Sequence, residues 1–383
     1  MSKKVTLRGL TWDHPRACDG LFAETHRFNA LSDDIAIEWD VHSLRGFEAT
    51  PIVETADKYD LIILDHPFMG DAAAAGALLN LREHLDAADL AALQESYIGL
   101  SFKSYEYGDG LWALPIDAAS QVAVCRPDLL DGAVPATFDE AIAFGQRGGL
   151  GLSMANPHAF MNYLGIASCL GADISGNGER LIPQDIAVQA LSILRQLARH
   201  IPDAAFDWSS IDLLEAMAHS DDVAYCPFVF SFNSYAQAPA AGRRLLRYCD
   251  GPTNTENAAT VLGGTGLAVS SSTRDIGAAV NAALHLVKEG AQIRMTEAGG
   301  QAAHRSVWSP LAQKTMNGRF FHECQTMQEN AVLRPRWPGY IKLQNFAGQL
   351  LQTDCRDQAG DGTQTIKDIE DYFRSARAGG LEL

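Results

Sequence analysis

No stretch of this chain approaches the ~20 consecutive apolar residues that a bilayer-spanning helix requires. Its first residues, MSKKVTLRGL, carry two lysines but lack the apolar segment of about 7–15 residues that would make them an export leader. Neither a membrane span nor a leader is therefore expected within these residues. Basic charge is also scarce: 30 Lys and Arg stand against 47 Asp and Glu, a formal net charge of -17. Such a chain repels phosphate backbones and anionic headgroups, which excludes nucleic acid and membrane surfaces as expected partners. The seven cysteines (Cys18, Cys125, Cys169, Cys226, Cys249, Cys324, Cys355) are odd in number, scattered and free of any CxxC. That pattern speaks against a disulfide framework and a zinc site and leaves small buried hydrophobes. It fits a reducing compartment, or a chain whose targeting segment has been removed. Histidine spacings of the HxxxH or HExxH type do not accompany the candidate ligands described below, so no metal and no cofactor are expected.

What is present is enough apolar residue, 47% of 383, to bury sizeable cores in two lobes. Strand and helix signals alternate: a strand at Val5–Leu10, a helix at Pro15–Leu31, an alternating strand at Ile35–Leu44, a short apolar strand at Leu61–Asp65, then helical text to about Gln94. This grammar predicts an α/β fold, and runs such as LIIL predict a parallel sheet covered on both faces, with ligands at the carboxyl ends of its strands. Two strands end in the same tripeptide, Asp13-His14-Pro15 and Asp65-His66-Pro67. Asp or His before proline is a natural helix cap. Capping by the aspartates would leave His14 and His66 without a task, and delivery to a shared cleft would give them one.

Three segments in order, KYDLIILDHPFMGDAAAAGALLNLREHL, GDGLWALPIDAASQVAVCRPDLL and PATFDEAIAFGQ, resemble the family 1 extracellular solute-binding proteins of ABC importers, the maltose- and sugar-binding type. Phe138 stands where that family usually has Trp, and Cys125-Arg126-Pro127 where it has Tyr-Asn-Lys. VLGGTGLAVS and RPRWPGY continue the likeness to nearly the end of the chain. The resemblance implies a two-lobe periplasmic-binding-protein-like type II fold with the ligand cleft between lobes. It places lobe one at 1–117 plus 262–310 and lobe two at 118–261 plus 311–383. It further implies a non-catalytic, monomeric, periplasmic protein that binds a sugar, polyol or sugar-acid-like solute and meets the membrane subunits of an ABC transporter. Pro115-Ile116-Asp117 and Gly263-Gly264-Thr265-Gly266 have the backbone character that crossing segments between lobes need.

On that frame Trp12, Asp13 and His14 form one cleft wall, with Asp65 and His66 beside them and Asp117 at the end of LWALPID. Tyr225, Phe228 and Phe230 are candidates to stack on the C–H faces of a sugar, although a buried strand needs them as core. Trp208 and Trp337 are further stacking candidates. Gly264 and Thr265 offer backbone and hydroxyl donors. Arg305 offers a guanidinium fork suited to carboxylate, sulfate or phosphate. Two other classes compete. A cytoplasmic binding or sensor protein would keep the fold without export. A serine hydrolase would use Ser153 in GLSMA, a G-x-S-x-G pattern short of its last glycine. A dinucleotide site lacks its third glycine after Gly264-x-Gly266, and an iron site of this architecture lacks its tyrosine pair.

Overall fold

The computed structural model describes residues 4–237, 242–253, 259–309 and 318–377. Among these described residues nine strands follow one another as β1 Val5–Trp12, β2 Ile35–His42, β3 Leu61–Leu64, β4 Glu106–Tyr107, β5 Gly110–Leu111, β6 Leu114–Cys125, β7 Tyr225–Phe230, β8 Arg247–Cys249 and β9 Leu262–Val269. Seven of them form one sheet in the order β2-β1-β3-β9-β6-β7, with β8 also paired to β6. β1 runs parallel to β2 and β3, as the apolar runs predict, but β9 is antiparallel to both β3 and β6. The sheet is therefore mixed rather than parallel. The cause is topological, because β9 re-enters the sheet from the far half of the chain and descends between two strands that rise.

β6 holds the two halves of the sheet together. Its first residues, Leu114–Ser120, pair with β9, and its last, Gln121–Cys125, pair with β7 and β8. Where β6 and β9 face each other, Ala118 pairs with Gly264 and Asp117 with Thr265, next to a register shift after Pro115. Gly264 has φ +100, and a Cβ there would stand 2.5 Å from the Asp117 carbonyl oxygen, so only glycine fits. The expected crossing segments thus lie side by side as paired strands.

The helix α1, Pro15–Leu31, starts directly after β1, and its N-cap is His14. The His14 Nδ1 accepts the Arg16 N–H at 3.1 Å, while Pro15 occupies the first helical position where an N–H has no use. Asp13 is exposed and caps nothing, which corrects the expectation that the aspartate is the cap. In the second tripeptide the aspartate does cap: Asp65 Oδ1 accepts the His66 N–H at 2.8 Å and opens a short 3-10 turn, His66–Phe68. The helical text that follows is broken rather than continuous to Gln94. The helix Met69–Ala75 stops at Gly76, whose φ of +60 turns the chain out of the helix. Helical geometry resumes only in the turn Leu81–Glu83 and the helix Ala87–Ser96.

Helices Ile276–Val287 and Glu289–Glu297 pack on α1, and the first of them also on β1, β2, β6 and β9. Helix Gly318–Asn330 packs on β6 and β8. Helix Tyr340–Asp357 packs on helices His158–Cys169, Gln184–Ala198 and Thr363–Arg377. The expected lobe boundary at residues 310 and 311 lies outside the described residues. Between the last two groups of helices the chain runs across Met69–Ala75: Asp71 accepts the Gly339 N–H at 2.8 Å, and a side chain on Gly70 would collide with the Arg336 carbonyl. Six cysteines are buried and Cys249 half-buried, all as free thiols. Among the described residues no helix is long and apolar enough to cross a membrane.

Candidate functional site

At the carboxyl ends of β1 and β3, and against the facing surfaces of β6, β9, Pro157–Met161 and Arg334–Gln344, lies a cavity of about 740 Å3, its open mouth included. Sites for small molecules are typically about 300–1,000 Å3 with few polar groups among many apolar ones. Its apolar wall includes Trp12, Phe47, Phe68, Met161, Phe230 and Phe232. Its polar wall consists of Arg16, Asp65, His158, Ser210, Thr265, Arg334 and Gln344.

Two buried arginines dominate the charge. Arg16, in the first turn of α1, grips Asp117 through both Nε, at 2.8 Å, and Nη2, and donates Nη1 to the Ser231 carbonyl at 2.8 Å. Its guanidinium also lies 4.6 Å from the centre of the Phe232 ring. Arg334 donates Nη2 to Asp65 at 2.6 Å and Nη1 to Gln344 at 3.1 Å. Each guanidinium is met by one carboxylate, so these four groups leave no net charge at the site. Burial alone would raise the Asp65 carboxyl, but Arg334 and His66 outweigh it and hold the group well below the usual carboxylate range. His66 stands with Nδ1 3.0 Å from Asp65 Oδ1, wholly buried. Burial first, and Arg334 second, bring its pKa down to about 4, so it is neutral. Burial likewise lowers His158, whose Nδ1 is 3.4 Å from Ser210 Oγ, to about 4. Two N–H donors belonging to the wall, Trp12 Nε1 and Arg334 Nε, are buried with no hydrogen-bond partner among the described residues. A buried donor without a partner costs about 1–3 kcal/mol, which a ligand oxygen would offset.

Of the residues singled out in the sequence, Trp12, Asp65, Phe230, Gly264 and Thr265 line this cavity. Asp117 lies one step behind it and orients Arg16. His14 and His66 also sit behind it: His14 stacks on Trp12 at 5.5 Å and meets Phe232 edge-on at 4.9 Å. Burial, with Arg16 and Arg243, lowers His14 to about 3. Asp13 faces solvent. Tyr225 and Phe228 are core, the former donating its hydroxyl to the Pro135 carbonyl at 3.3 Å and the latter packed on Phe138. Arg305 lies elsewhere, more than half exposed, with its Nη2 on the Tyr97 carbonyl at 3.1 Å and Glu329 3.7 Å away. Trp208 and Trp337 do not line the cavity either, Trp337 packing on Tyr340 and Phe373. Ser153 is buried with its carbonyl held by Asn162 Nδ2 at 2.7 Å, away from the cavity lining. Among the described residues no group of three or more His, Cys, Asp or Glu could hold a metal ion.

Sequence reasoning missed Arg16 and Arg334, the two residues that organise the polar wall. Arg16 carried a signal: a cation in the first turn of a helix opposes the helix dipole, and such local conflicts gather at functional sites. Arg334 stands in RPRWPGY, noticed as a motif but not as a source of ligands.

The architecture is periplasmic-binding-protein-like, type II, as comparison with solved structures shows. Maltose-bound MalE3 of T. maritima superposes with a TM-score of 0.82 at 16% identity over 97% of this chain and 99% of that one. An ABC transporter solute-binding protein from Thermotoga lettingae TMO bound with alpha-D-tagatose gives 0.80 at 18% identity over 97% and 99%. One from Agrobacterium radiobacter K84 in complex with ribitol gives 0.79 at 17% identity over 97% and 98%. No curated protein sequence matches the chain. The family model described as bacterial extracellular solute-binding protein matches residues 45–302. The chain belongs to that family, and its role is that of a solute-binding protein.

Proposed function

We propose that the protein captures a small, neutral, polyhydroxylated solute, a sugar or polyol, outside the cytoplasmic membrane and delivers it unchanged to an ABC importer. The observation that carries this reading is the cavity itself: aromatic faces beside two unpartnered N–H donors, with both arginines already neutralised by Asp117 and Asp65. Sugar C–H faces stack on rings while hydroxyls seek N–H and carboxylate partners. A charged solute would have to break an ion pair to be matched. The maltose, tagatose and ribitol bound by similar structures belong to the same chemical class.

The protein acts as a monomer of two lobes, residues 1–117 with 262–310 and 118–261 with 311–383, that close on the solute about β6 and β9. Packing of Ile276–Glu297 on α1 and of Tyr340–Asp357 on His158–Cys169 supports that division. A thermal-shift and calorimetric screen of neutral sugars and polyols, with their aldonic acids and amino sugars, tests the reading. A neutral member at 100 times its dissociation constant should add ~2.7 kcal/mol of stability and be recovered intact. Stabilisation by acids or amines alone, or conversion of the bound compound, would refute it.

A further inference from the structure

Beside the cavity runs a second depression of about 1180 Å3, open solvent included, whose lining is mainly apolar: Pro51, Ile52, Val53, Ala74, Ala75 and the shared pair Phe68 and Ile341. Asp71, Lys342 and Asn345 are its polar members apart from the backbone at Gly339. Phe68 and Ile341 belong to both linings, so one pair of side chains separates the polar-walled cavity from the apolar groove. Leu44 and Phe47 are further apolar members of the cavity lining. Arg334 ties Asp65 to Gln344, which stand on the same two segments as Phe68 and Ile341, each three residues away in the chain. Pro51–Ala75 supplies one wall of the groove and Gly339–Asn345 the other. Val53 in this lining is 47% exposed.

We infer that the solute carries an apolar substituent, an aryl or alkyl group joined to its polyhydroxylated end, and that this substituent passes Phe68 and Ile341 to lie in the groove. The inference rests on the sugar or polyol reading and narrows it to glycosides with an apolar aglycone. A plain hexose would leave the groove wet. An aglycone would cover the exposed Pro51, Val53, Ala74 and Ala75 and the half-buried Ile341, and burial of such surface is the main favourable term in binding apolar groups.

The test is a matched panel of methyl and phenyl glycosides of common pentoses and hexoses, titrated calorimetrically into the full chain. For any sugar that binds, the phenyl member is expected to bind at least about tenfold tighter than the methyl member. Ala74→Glu, an exposed helical position that touches only the groove, should remove that gain and leave the methyl glycoside unaffected. Equal affinity of the two members, or a gain that survives Ala74→Glu, overturns the inference while the sugar reading stands. Failure of every glycoside in the panel, with binding of phenol or 1-octanol alone, overturns both. Sedimentation completes the assignment, since self-association that Ala74→Glu abolishes would give the groove to a second copy and overturn the inference.

Discussion

The two Asp-His-Pro tripeptides follow neighbouring parallel strands at the same distance from paired residues, for Gly9 pairs with Leu61 and Leu10 with Ile62. Identical in sequence and placement, they do opposite things. After β1 the histidine is the cap, the proline opens a 17-residue helix, and the aspartate is left in water. After β3 the cap falls one residue earlier, on the aspartate, and the proline is the second residue of a three-residue turn. With the cap one position earlier, Asp65 enters the cavity and holds Arg334, whereas after β1 Asp13 faces solvent and His14 stays behind the wall. Function at a strand end is therefore set by where the helix begins, not by the residues alone.

Four measurements would break or sharpen that contrast. The largest effect belongs to Asp65→Ala, which strands a buried guanidinium; removing one partner of a buried pair costs about 3–5 kcal/mol. Urea denaturation should show that loss, and solute binding should vanish with it. A cost under about 1 kcal/mol would mean that Arg334 is rehydrated and that the pair does not organise the wall. Next comes acid. The unfolded imidazoles titrate near 6.5, while His14 is held to about 3 and His66 to about 4 in the fold. The unfolded chain thus binds more protons in this window, so stability is complete above 6.5 and is lost as pH falls towards 4. The loss is on the order of 1 kcal/mol per pH unit for each histidine, with His158 acting in the same direction. His14→Gln and His66→Gln should each flatten the slope; unchanged slopes in both would show that the burial of these rings is relieved before unfolding.

The third measurement is His14→Ala, which removes a cap and a ring stacked on Trp12, and should cost ~1 kcal/mol or slightly more. The same substitution would be silent if His14 merely faced the cleft. Asp13→Ala should be the smallest, within about 0.5 kcal/mol of the parent and without effect on binding. A loss of affinity there would restore the symmetry between the motifs that the structure denies.

Much of the architecture was legible because local rules decide it. Pro15–Leu31 was read to both ends from its proline start and apolar spacing, and LIIL identified β3 as buried on both faces. The antiparallel entry of β9 was not legible, because no local pattern distinguishes a strand running up from one running down. Of the residues that line the cavity, those at strand ends and crossings had been singled out from the sequence: Trp12, Asp65, Phe230, Gly264 and Thr265. Residues brought in by distant segments were not, among them Phe47, His158, Ser210 and Arg334. Of the two roles open to Tyr225 and Phe228, stacking or core, the structure places both in the core, and period-two alternation alone does not say which residue of an aromatic strand ends up at the rim.

The position of β9 also governs when the fold can form. β3 is flanked by β1 on one side and β9 on the other, and Leu61 meets Val269, about 200 residues later in the chain. The strand that carries Asp65 therefore has one open edge throughout synthesis of everything between. Pairings so distant in sequence are slow because the intervening loop must close first. The amino-terminal sheet, and with it the half of the cavity that contains Trp12, Arg16 and Asp65, is completed only after the carboxyl-terminal half of β6 has been given its own partners. The β9-facing edge of β3 thus stays unpaired until two thirds of the chain exist, and in a ribosome-bound fragment ending before Leu262 the β3 amides that bond to β9 should show no protection in hydrogen exchange, whatever protection β1 gives the opposite edge.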